Sequence, residues 1–252
     1  MPPPKGTRVK GQRADLALVE RGLAESRTRA QALIMAGLVF SGERRIDKPG
    51  DAIPEGMALE LRGQDHPWVS RGGVKLAHGL AHFDLSPAGL TCLDLGASTG
   101  GFTDVLLHHG AAQVFALDVG HGQLAWKLRN DPRVVVMERV NARHLKPSDL
   151  PELGALVCDA SFIGLRTVLP AALGFCGPGA WAIALIKPQF EVGPAVAKGG
   201  VVRDAAVHEA VCAEIGSWWD SLPGWRVLGI EPSPILGPEG NREFLLAARH
   251  EA

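Results

Sequence analysis

The sequence has no long apolar run, few cysteines and no apolar segment beside its basic N-terminus. The longest apolar runs, such as residues 179–186, contain about eight residues, whereas a membrane span needs about 20. The four cysteines are scattered without paired spacing, so we expect neither a disulfide framework nor a zinc cluster, and no bound metal. Without an apolar leader we predict no secretory signal. These absences favour a cytoplasmic protein that does not enter membranes.

What the sequence does contain is typical of a packed globular protein. Of its 252 residues, 46% are hydrophobic and 21% are charged, which is too apolar for a disordered chain. Basic charge is concentrated at one end. Residues 1–45 carry nine Lys/Arg and four Asp/Glu, whereas residues 46–252 carry 17 and 23. The basic end is either a solvated face or a surface that binds a polyanion.

Composition and periodicity divide the chain into four parts. Residues 1–12 contain three prolines and three basic residues without apolar periodicity, which predicts a flexible basic arm. Residues 13–62 predict a compact α+β unit of two short helices followed by small strands. Residues 63–69 predict a linker, and residues 70–252 predict a larger second domain.

Four arginines of the small unit cluster where an anion could bind. Arg27 and Arg29 lie at the start of its predicted second helix, and Arg44 and Arg45 lie in the adjoining hairpin. Backbone amides at a helix start and arginine side chains both favour phosphate oxygens.

This small unit resembles the S4 RNA-binding domain. The matching segments are RADLALVERG at 13–22, SRTRA at 26–30, AG at 36–37, Val39 and PGD at 49–51. The resemblance implies an RNA-binding domain, and it makes Arg27, Arg29, Arg44 and Arg45 the candidates for phosphate contacts.

From residue 90 onward, apolar strands alternate with helical segments. Seven strands are predicted, beginning near residues 91, 113, 133, 156, 181, 225 and 243. Repeated alternation indicates an α/β fold with a mostly parallel sheet and helices on both faces. A polar loop rich in proline and glycine joins the last two strands without a helical pattern, so we expect the last strand to be antiparallel.

A glycine-rich segment, LDLGASTGGF at 93–102, follows the first predicted strand and opens a helix. Gly96 permits a tight turn, and the later glycines allow a ligand to approach the backbone. A dinucleotide fingerprint would have glycine at the position of Ser98, and the carboxylate of Asp94 suits a cation better than a pyrophosphate. S-adenosylmethionine, which carries a sulfonium and an ammonium, therefore fits better than NAD or a purely structural turn.

The second predicted strand ends at Asp118, where a carboxylate can accept hydrogen bonds from both hydroxyls of a ribose. Asn141 follows the third strand and is either a residue that faces the adenine or a turn residue. The predicted cofactor-binding residues are Asp94, Gly96, Ser98, Thr99, Gly100, Gly101, Phe102, Asp118, Val119, Asn141 and Asp159.

Four charged residues form a candidate catalytic centre. Lys75 lies in the helix before the first strand, and Asp159 and Lys187 end the fourth and fifth strands. Glu243 begins the last strand, on the rim where parallel strands end and ligands bind. Two lysines and two carboxylates are together neutral, and a neutral group tolerates burial better than a lone charge. A lysine accepts a proton only when it is neutral, a state that the second lysine favours and the carboxylates oppose.

At these residues the chain resembles the TlyA (haemolysin A) family, FtsJ-like ribose 2′-O-methyltransferases with an N-terminal S4 domain. The matching blocks are DLGASTGGF at 94–102, DVGHGQL at 118–124, DASFI at 159–163, KPQFE at 187–191 and GNREF at 240–244.

The resemblance implies a Rossmann-like class I methyltransferase sheet and S-adenosylmethionine-dependent 2′-O-methylation of cytidine in ribosomal RNA. It also assigns the family's catalytic tetrad to Lys75, Asp159, Lys187 and Glu243. Lys187 would accept the proton, Lys75 and Asp159 would orient the ribose, and Glu243 would complete the network.

Several alternatives stay open at this point. The chain could be a noncatalytic ribosome-assembly protein or, as the family's older name suggests, a haemolysin, although no segment has the length or amphipathic character for a bilayer. The chain stops soon after its last strand, as in members that modify only the large subunit, yet its basic arm resembles members that modify both.

We expect Phe162 and Cys158 to be core residues, the alternative for Phe162 being base stacking. Ribosomal RNA or subunits are the expected partners, and the chain itself is expected to be a monomer or weak dimer.

Overall fold

The computed structural model describes residues 11–24, 26–35, 37–54, 56–62, 66–193, 196–237 and 240–251. The chain divides into two compact units, Met1–Pro67 and Trp68–Ala252. Most of the predicted basic arm, residues 1–10, lies outside the described residues.

The first unit combines two helices with two small antiparallel sheets. Its elements are β1 (Gly11–Arg13), α1 (Ala14–Glu20), α2 (Arg27–Met35), β2 (Val39–Ser41), β3 (Arg44–Arg45), β4 (Ala52–Pro54) and β5 (Glu60–Leu61). Strand β1 pairs with β4, and β2 lies between β3 and β5. The end of the predicted arm is therefore part of a strand, because Gly11 and Gln12 pair with Pro54 and Ile53.

The core of the first unit is small and apolar, and it contains one buried charge. Leu18, Ile34, Ile46 and Ile53 are almost fully buried between the helices and the strands. Asp15 is also fully buried, at the start of α1 where it meets α2.

Asp15 joins the two helices through charged hydrogen bonds. Its carboxylate accepts from the Arg13 guanidinium at 3.0 Å, from Arg27 Nε at 2.9 Å and from Gln31 Nε2 at 2.9 Å. Hydrogen bonds from Arg13 first, and then from Gln31 and Arg27, outweigh the effect of burial and hold the pKa of Asp15 well below its usual range. Asp15 thus stabilises the packing of α1 against α2 in its charged form.

The second unit is an α/β sandwich. Its helices are α3 (Gly72–His82), α4 (Gly101–His108), α5 (Trp126–Arg129), α6 (Leu165–Val168), α7 (Pro170–Leu173), α8 (Pro188–Glu191) and α9 (Ala205–Asp220), with short 3₁₀ turns at Ala142–His144 and Lys198–Gly200. Its strands are β6 (Thr91–Leu95), β7 (Gln113–Asp118), β8 (Val134–Glu138), β9 (Leu153–Cys158), β10 (Cys176–Ile186), β11 (Trp225–Pro232) and β12 (Phe244–His250).

These strands form a seven-stranded sheet in the order β11-β12-β10-β9-β6-β7-β8. Strands β10, β9, β6, β7 and β8 are mutually parallel, and β12 is antiparallel to both β10 and β11. The predicted α/β fold with a mostly parallel sheet and an antiparallel last strand is confirmed. Because β12 runs against its neighbours, its first residues lie on the rim where the parallel strands end.

Each face of the sheet has its own hydrophobic core. On one face α3 and α4 contribute Leu76, Leu80 and Leu106, and on the other α9 contributes Ile215 and Trp219. The sheet is therefore buried on both faces, as the apolar runs of its parallel strands predict.

Two local differences from the sequence prediction have simple causes. The sequence predicts a single helical segment over residues 165–173, but the structure divides it into α6 and α7 at Pro170, whose ring removes a backbone donor. Trp68 and Val69, at the end of the predicted linker, are buried in the second unit. Trp68 occupies the space over Gly73, where any Cβ would lie 2.4 Å from its ring. Within the part of the chain that the structure describes, no helix is long and apolar enough to cross a membrane.

We predict that Asp15→Ala loosens the first unit, because it removes the acceptor shared by both helices. The expected loss is about 1–3 kcal/mol, since hydrogen bonds to charged groups are involved. Hydrogen exchange at neutral pH should show faster exchange of the α1 and α2 amides. The pKa of Asp15 is lowered on folding, so this stabilisation is present above about pH 4 and is lost as the pH falls.

The matched control is Asp47→Ala, which removes an exposed carboxylate paired with Arg45. Exposed pairs contribute about 0–1 kcal/mol, so protection of α1 and α2 should stay near that of the unmodified chain. Equal exchange in the two variants would contradict the role given to Asp15.

Candidate active site

The turn after β6 is shaped by crowding against the loop that follows β9. Gly96 has φ +84°, and a Cβ there would lie 3.0 Å from the backbone nitrogen of Ala160. Only glycine fits, because the backbone of a neighbouring strand end cannot move aside. Ser98 also adopts a left-handed conformation, with φ +48°, and this directs its amide toward β7.

Asp118, the last residue of β7, closes this turn through its carboxylate. Its Oδ2 accepts a hydrogen bond from the Ser98 amide at 2.8 Å, and its Oδ1 accepts one from the Gly120 amide at 2.7 Å. A carboxylate offers about four acceptor positions, so each oxygen keeps capacity for a further donor. The fixed orientation of Asp118 thus leaves acceptors available to a ligand.

A cavity of about 500 Å³ opens beside Asp118 at the carboxyl ends of the parallel strands. This volume lies in the range of small-molecule sites, about 300–1,000 Å³. Its lining residues are Leu95, Gly96, Ser98, Leu117, Asp118, Val119, Gly120, Gln123, Asn141, Ala142, Arg143, Asp159, Ala160, Ser161, Phe162, Ile163 and Val168.

Six of the predicted cofactor-binding residues line this cavity, namely Gly96, Ser98, Asp118, Val119, Asn141 and Asp159. The Asn141 side chain also accepts a hydrogen bond from the Arg143 amide at 3.1 Å and so caps a 3₁₀ turn. Asn141 therefore caps a turn and also lines the cavity, so the two alternatives, a turn residue and a residue that faces the adenine, are compatible.

The other predicted cofactor-binding residues do not line the cavity. Gly100 is the N-cap of α4, and Gly101 packs against Ser70 and the start of α3. Phe102 is buried in the core, and the Thr99 carbonyl accepts a hydrogen bond from the Ala125 amide. These residues hold the start of α4 in place.

Asp94 lies beneath the turn rather than on the cavity wall. It is fully buried, and its Oδ2 accepts hydrogen bonds from the Thr103 amide at 2.8 Å and the Thr103 hydroxyl at 2.7 Å. Burial raises the pKa of Asp94 to about 7, although the hydrogen bonds from Thr103 oppose the shift. Asp94 thus joins β6 to the first turn of α4.

Sequence reasoning missed Glu138, which organises the loop after Asp118. Its carboxylate accepts hydrogen bonds from the Gly122 amide at 2.9 Å and from Arg129, and it contacts His121 Nδ1 at 2.8 Å. Burial alone would raise its pKa, but these hydrogen bonds outweigh burial and lower it to about 2. No sequence motif marks Glu138, because its partners come from a loop and a short helix.

The four predicted catalytic residues converge around Asp159, which lines the edge of the cavity. Lys75 Nζ lies 2.5 Å from Glu243 Oε2, and Lys187 Nζ lies 2.6 Å from Asp159 Oδ1. Lys75 also approaches Asp159 Oδ2 at 3.9 Å, which links the two ion pairs. Both lysines are more than nine-tenths buried, and Glu243 is almost fully buried. The arrangement is a compact, charge-balanced cluster.

Ser161 joins this cluster and was not predicted. Its hydroxyl oxygen accepts a hydrogen bond from Lys187 Nζ at 2.8 Å, and the Asp159 carbonyl oxygen lies 3.3 Å from the same nitrogen. Lys187 is thus held from two sides. The sequence signal for Ser161 is its position two residues after Asp159, a predicted catalytic residue.

The interpretation of Phe162 as a core residue is wrong. Its side chain is 89% exposed at the cavity, its φ is +65°, and its ring centroid lies 5.1 Å from that of Phe190. A non-glycine residue in this conformation is uncommon. Exposure of the aromatic ring also forgoes the free energy that its burial would contribute to folding. Strand β9 ends at Cys158, before Phe162, so the alternation of side chains along a strand does not predict which way the Phe162 side chain points.

Cys158, in contrast, is a core residue. It is fully buried in β9, and burial raises the pKa of its thiol to about 12. A nucleophilic cysteine acts as the thiolate, so Cys158 is unsuited to covalent attack on a base.

Two of the four candidate RNA-binding arginines form ion pairs with carboxylates of the first unit. Arg27 binds the buried Asp15, and Arg45 pairs with Asp47 at 2.6 Å. Arg44 is exposed on β3, and Arg29 lies in the first turn of α2. Arg44 is therefore the candidate that a substitution tests most directly.

Comparisons with known proteins agree with this geometry. The family model for FtsJ-like methyltransferases matches residues 68–250, and that for the S4 domain matches residues 12–59. The chain is 48% identical over 240 residues to the 16S/23S rRNA (cytidine-2′-O)-methyltransferase TlyA of Mycobacterium tuberculosis, covering 94% of this chain and 89% of that protein. It is 48% identical over 242 residues to YqxC of Bacillus subtilis, named as an rRNA methyltransferase, covering 94% and 85%.

A solved structure named as a hemolysin, from Streptococcus thermophilus, has a similar fold. Its TM-score is 0.75 at 42% identity, and the match covers 96% of this chain and 90% of that one. The resemblance inferred from the sequence motifs is thus confirmed: the chain belongs to the TlyA family of FtsJ-like methyltransferases with an S4 domain.

Proposed function

We propose that this protein transfers a methyl group from S-adenosylmethionine to the ribose 2′-hydroxyl of cytidine in ribosomal RNA. The observation that carries the proposal is the pair of buried lysine–carboxylate contacts, Lys75–Glu243 and Lys187–Asp159, at the edge of a cavity. A family member with the same two domains, named for this reaction, is 48% identical.

The cavity fits S-adenosylmethionine in size and in the chemistry of its donors and acceptors. Asp118 has acceptor positions left for ribose hydroxyls, and Gly96 keeps the turn free of a side chain. Asn141 and Val119 line the region where a purine would lie. Asp94 sits behind this wall, where it supports the turn. When bound, S-adenosylmethionine supplies an electrophilic methyl group.

Lys187 is proposed as the group that takes the proton from the 2′-hydroxyl, a step that requires its amine in the neutral form, after its own proton has passed to solvent. Asp159 and Ser161 fix its Nζ by contacts at 2.6 and 2.8 Å, so the nitrogen is oriented before RNA arrives. Lys75 lies 3.9 Å from Asp159 and draws part of that carboxylate's charge away from Lys187. Glu243 holds Lys75 in place. Together these groups orient the hydroxyl and receive its proton.

The RNA is proposed to bind through both domains. Arginines of the first unit would contact phosphates, which position an RNA without reading its sequence. The exposed ring of Phe162 would stack on an unstacked base, as aromatic side chains do in single-stranded RNA. The large ribosomal subunit is the proposed target. The small subunit is tested as a second substrate in the methyl-transfer assay described below. We propose that the protein acts on this substrate in the cytoplasm, as a monomer or weak dimer.

The name hemolysin suggests a pore-forming role, which we do not propose. The polar cluster and the cavity have no use in a pore, whereas methyl transfer uses both.

Asp118→Ala should weaken S-adenosylmethionine binding, because it removes hydrogen bonds to a charged acceptor. The expected loss is roughly 2–4 kcal/mol, which is at least about a tenfold rise in Kd. Calorimetric titration of the cofactor measures it. The control Asp149→Ala removes an exposed carboxylate that accepts from the Lys146 amide and should bind normally. Unchanged affinity of the Asp118 variant would remove Asp118 from the site.

Lys187→Met should lower single-turnover transfer of labelled methyl to ribosomal subunits by at least ~10²-fold, the low end for general acid–base catalysis. The subunits come from a strain lacking the gene, and reverse transcription locates the 2′-O-methyl group. Lys187→Arg separates two roles, because guanidinium keeps the charge but cannot give up its proton at usable pH. It should be equally impaired if Lys187 is the base.

Cofactor and RNA affinities of both variants should change far less than the rate, since the loss lies in the transition state. Lys127→Met, which removes an exposed partner of Asp104, serves as the control for a lysine lost elsewhere. An arginine variant that keeps most of the rate would leave Lys187 only a positioning role. Absence of transfer by the unmodified protein to either subunit would overturn the proposed function.

Arg44→Ala should weaken binding to ribosomal RNA without changing cofactor affinity. If Arg44 contacts a phosphate, the slope of log affinity against log salt should fall by about 1. Fluorescence anisotropy with an rRNA fragment at several salt concentrations measures this slope. Arg226→Ala, which removes an exposed partner of Glu251 in the second unit, should leave the slope unchanged. Identical slopes for all three proteins would remove Arg44 from the interface.

A further inference from the structure

Two histidines and a glutamate meet where α3 lies beside β11. His78 and His82 are one turn apart on α3, and their stacked rings have centroids 5.8 Å apart. Glu231, in β11, lies 3.4 Å by its Oε1 from His78 Nε2 and 3.6 Å by its Oε2 from His82 Nε2. One ligand atom from each residue lies within 4.8 Å of the others. The three side chains thus bring possible metal-ligand atoms close together.

The distances suit a shared ion better than hydrogen bonding. An N–H···O hydrogen bond has a typical length of about 2.9–3.0 Å, shorter than both contacts. The buried Nε2 of His78 makes no hydrogen bond to any described residue. In a tetrahedral site with Zn–N and Zn–O bonds of about 2.0–2.2 Å, the ligand atoms are about 3.3–3.6 Å apart. Each of the two observed separations, 3.4 Å from Oε1 to His78 and 3.6 Å from Oε2 to His82, falls in this range. One atom from each of the three residues lies within 4.8 Å of the others, so a small rotation of the side chains brings one carboxylate oxygen and both imidazoles to this spacing.

We propose that His78, His82 and Glu231 form a binding site for a divalent transition metal of the zinc class. Two imidazoles and one carboxylate are ligands that zinc prefers. Their side chains are 35%, 43% and 30% exposed, so the cluster lies near the surface of the second unit, with His78 Nε2 on its buried side. The scattered cysteines of the sequence predict no bound metal. That prediction does not extend to this site, whose ligands are two imidazoles and a carboxylate brought together by the fold.

The site would join two elements that also hold the catalytic cluster. Helix α3 carries Lys75 one turn before His78. In the sheet, Glu231 pairs with Leu245 of β12, two residues after Glu243, the partner of Lys75. A metal bound to α3 and β11 would therefore clamp the helix against the strands beside the Lys75–Glu243 pair. Its role is structural, since no ligand belongs to the cavity lining.

The test uses the full-length, untagged protein after treatment with a chelator. Calorimetric titration with Zn²⁺ should show one equivalent bound, and Co²⁺ should give the visible absorption of a low-symmetry site of nitrogen and oxygen ligands. Because an ion that binds only the folded chain stabilises it by mass action, saturating Zn²⁺ should raise the midpoint of thermal unfolding. Failure of the protein to bind either ion stoichiometrically would overturn the proposal.

His82→Asn and Glu231→Gln should each weaken Zn²⁺ binding by at least ~10-fold, since even the loss of an outer partner of a metal ligand costs 10–100-fold. His109→Asn, an exposed histidine at the end of α4, is the matched control and should bind like the unmodified chain. S-adenosylmethionine titration of each variant without metal checks that the second unit is folded. Equal Zn²⁺ affinity in all variants would place the ion elsewhere and refute the site.

Discussion

The structure of the second unit depends on the contact between two buried ion pairs, in which Lys75 approaches Asp159 at 3.9 Å. Removing a lone charge from water costs several kcal/mol, and only a close partner offsets that cost. Each lysine has such a partner, Glu243 for Lys75 and Asp159 for Lys187. The pairs join a helix to three strand ends. The fold therefore buries two lysine nitrogen atoms beside the cavity without leaving a charge uncompensated.

This constraint explains the antiparallel last strand. If β12 ran parallel to β10, its first residues would lie at the opposite end of the sheet from Asp159 and Lys187. Because β12 is antiparallel to β10, with Phe244 opposite Ile186, Glu243 starts on the same rim. Reversal of one strand supplies the fourth member of the cluster.

Sequence patterns predicted the residues whose position follows from strand ends, and they failed where tertiary packing decides. Asp118, Asp159 and Lys187 follow apolar strands, so strand direction alone brought them together. The glycine-rich segment was read correctly as a turn, but Asp94 faces α4, because a buried strand residue can point away from the cavity. Phe162 lies after the strand, where the backbone turns and alternation gives no direction. Glu138 and Glu231 meet their partners only through the fold. Ser161, two residues after Asp159, and the pair His78 and His82, one turn apart on a helix, are marked by local spacing, but the spacing alone does not show what they contact.

The two halves of the site are held by different forces, and this predicts how they respond to change. The cofactor half is positioned by backbone amides of Ser98 and Gly120 on Asp118 and by the crowding of Gly96 against Ala160. Backbone contacts of this kind depend little on ionic strength. The catalytic half is positioned by charges, but these are buried and therefore screened much less than surface pairs. Added salt should then act first on the arginines proposed to bind RNA, and a salt-dependent loss of methylation would indicate weaker RNA binding rather than damage to either half of the site.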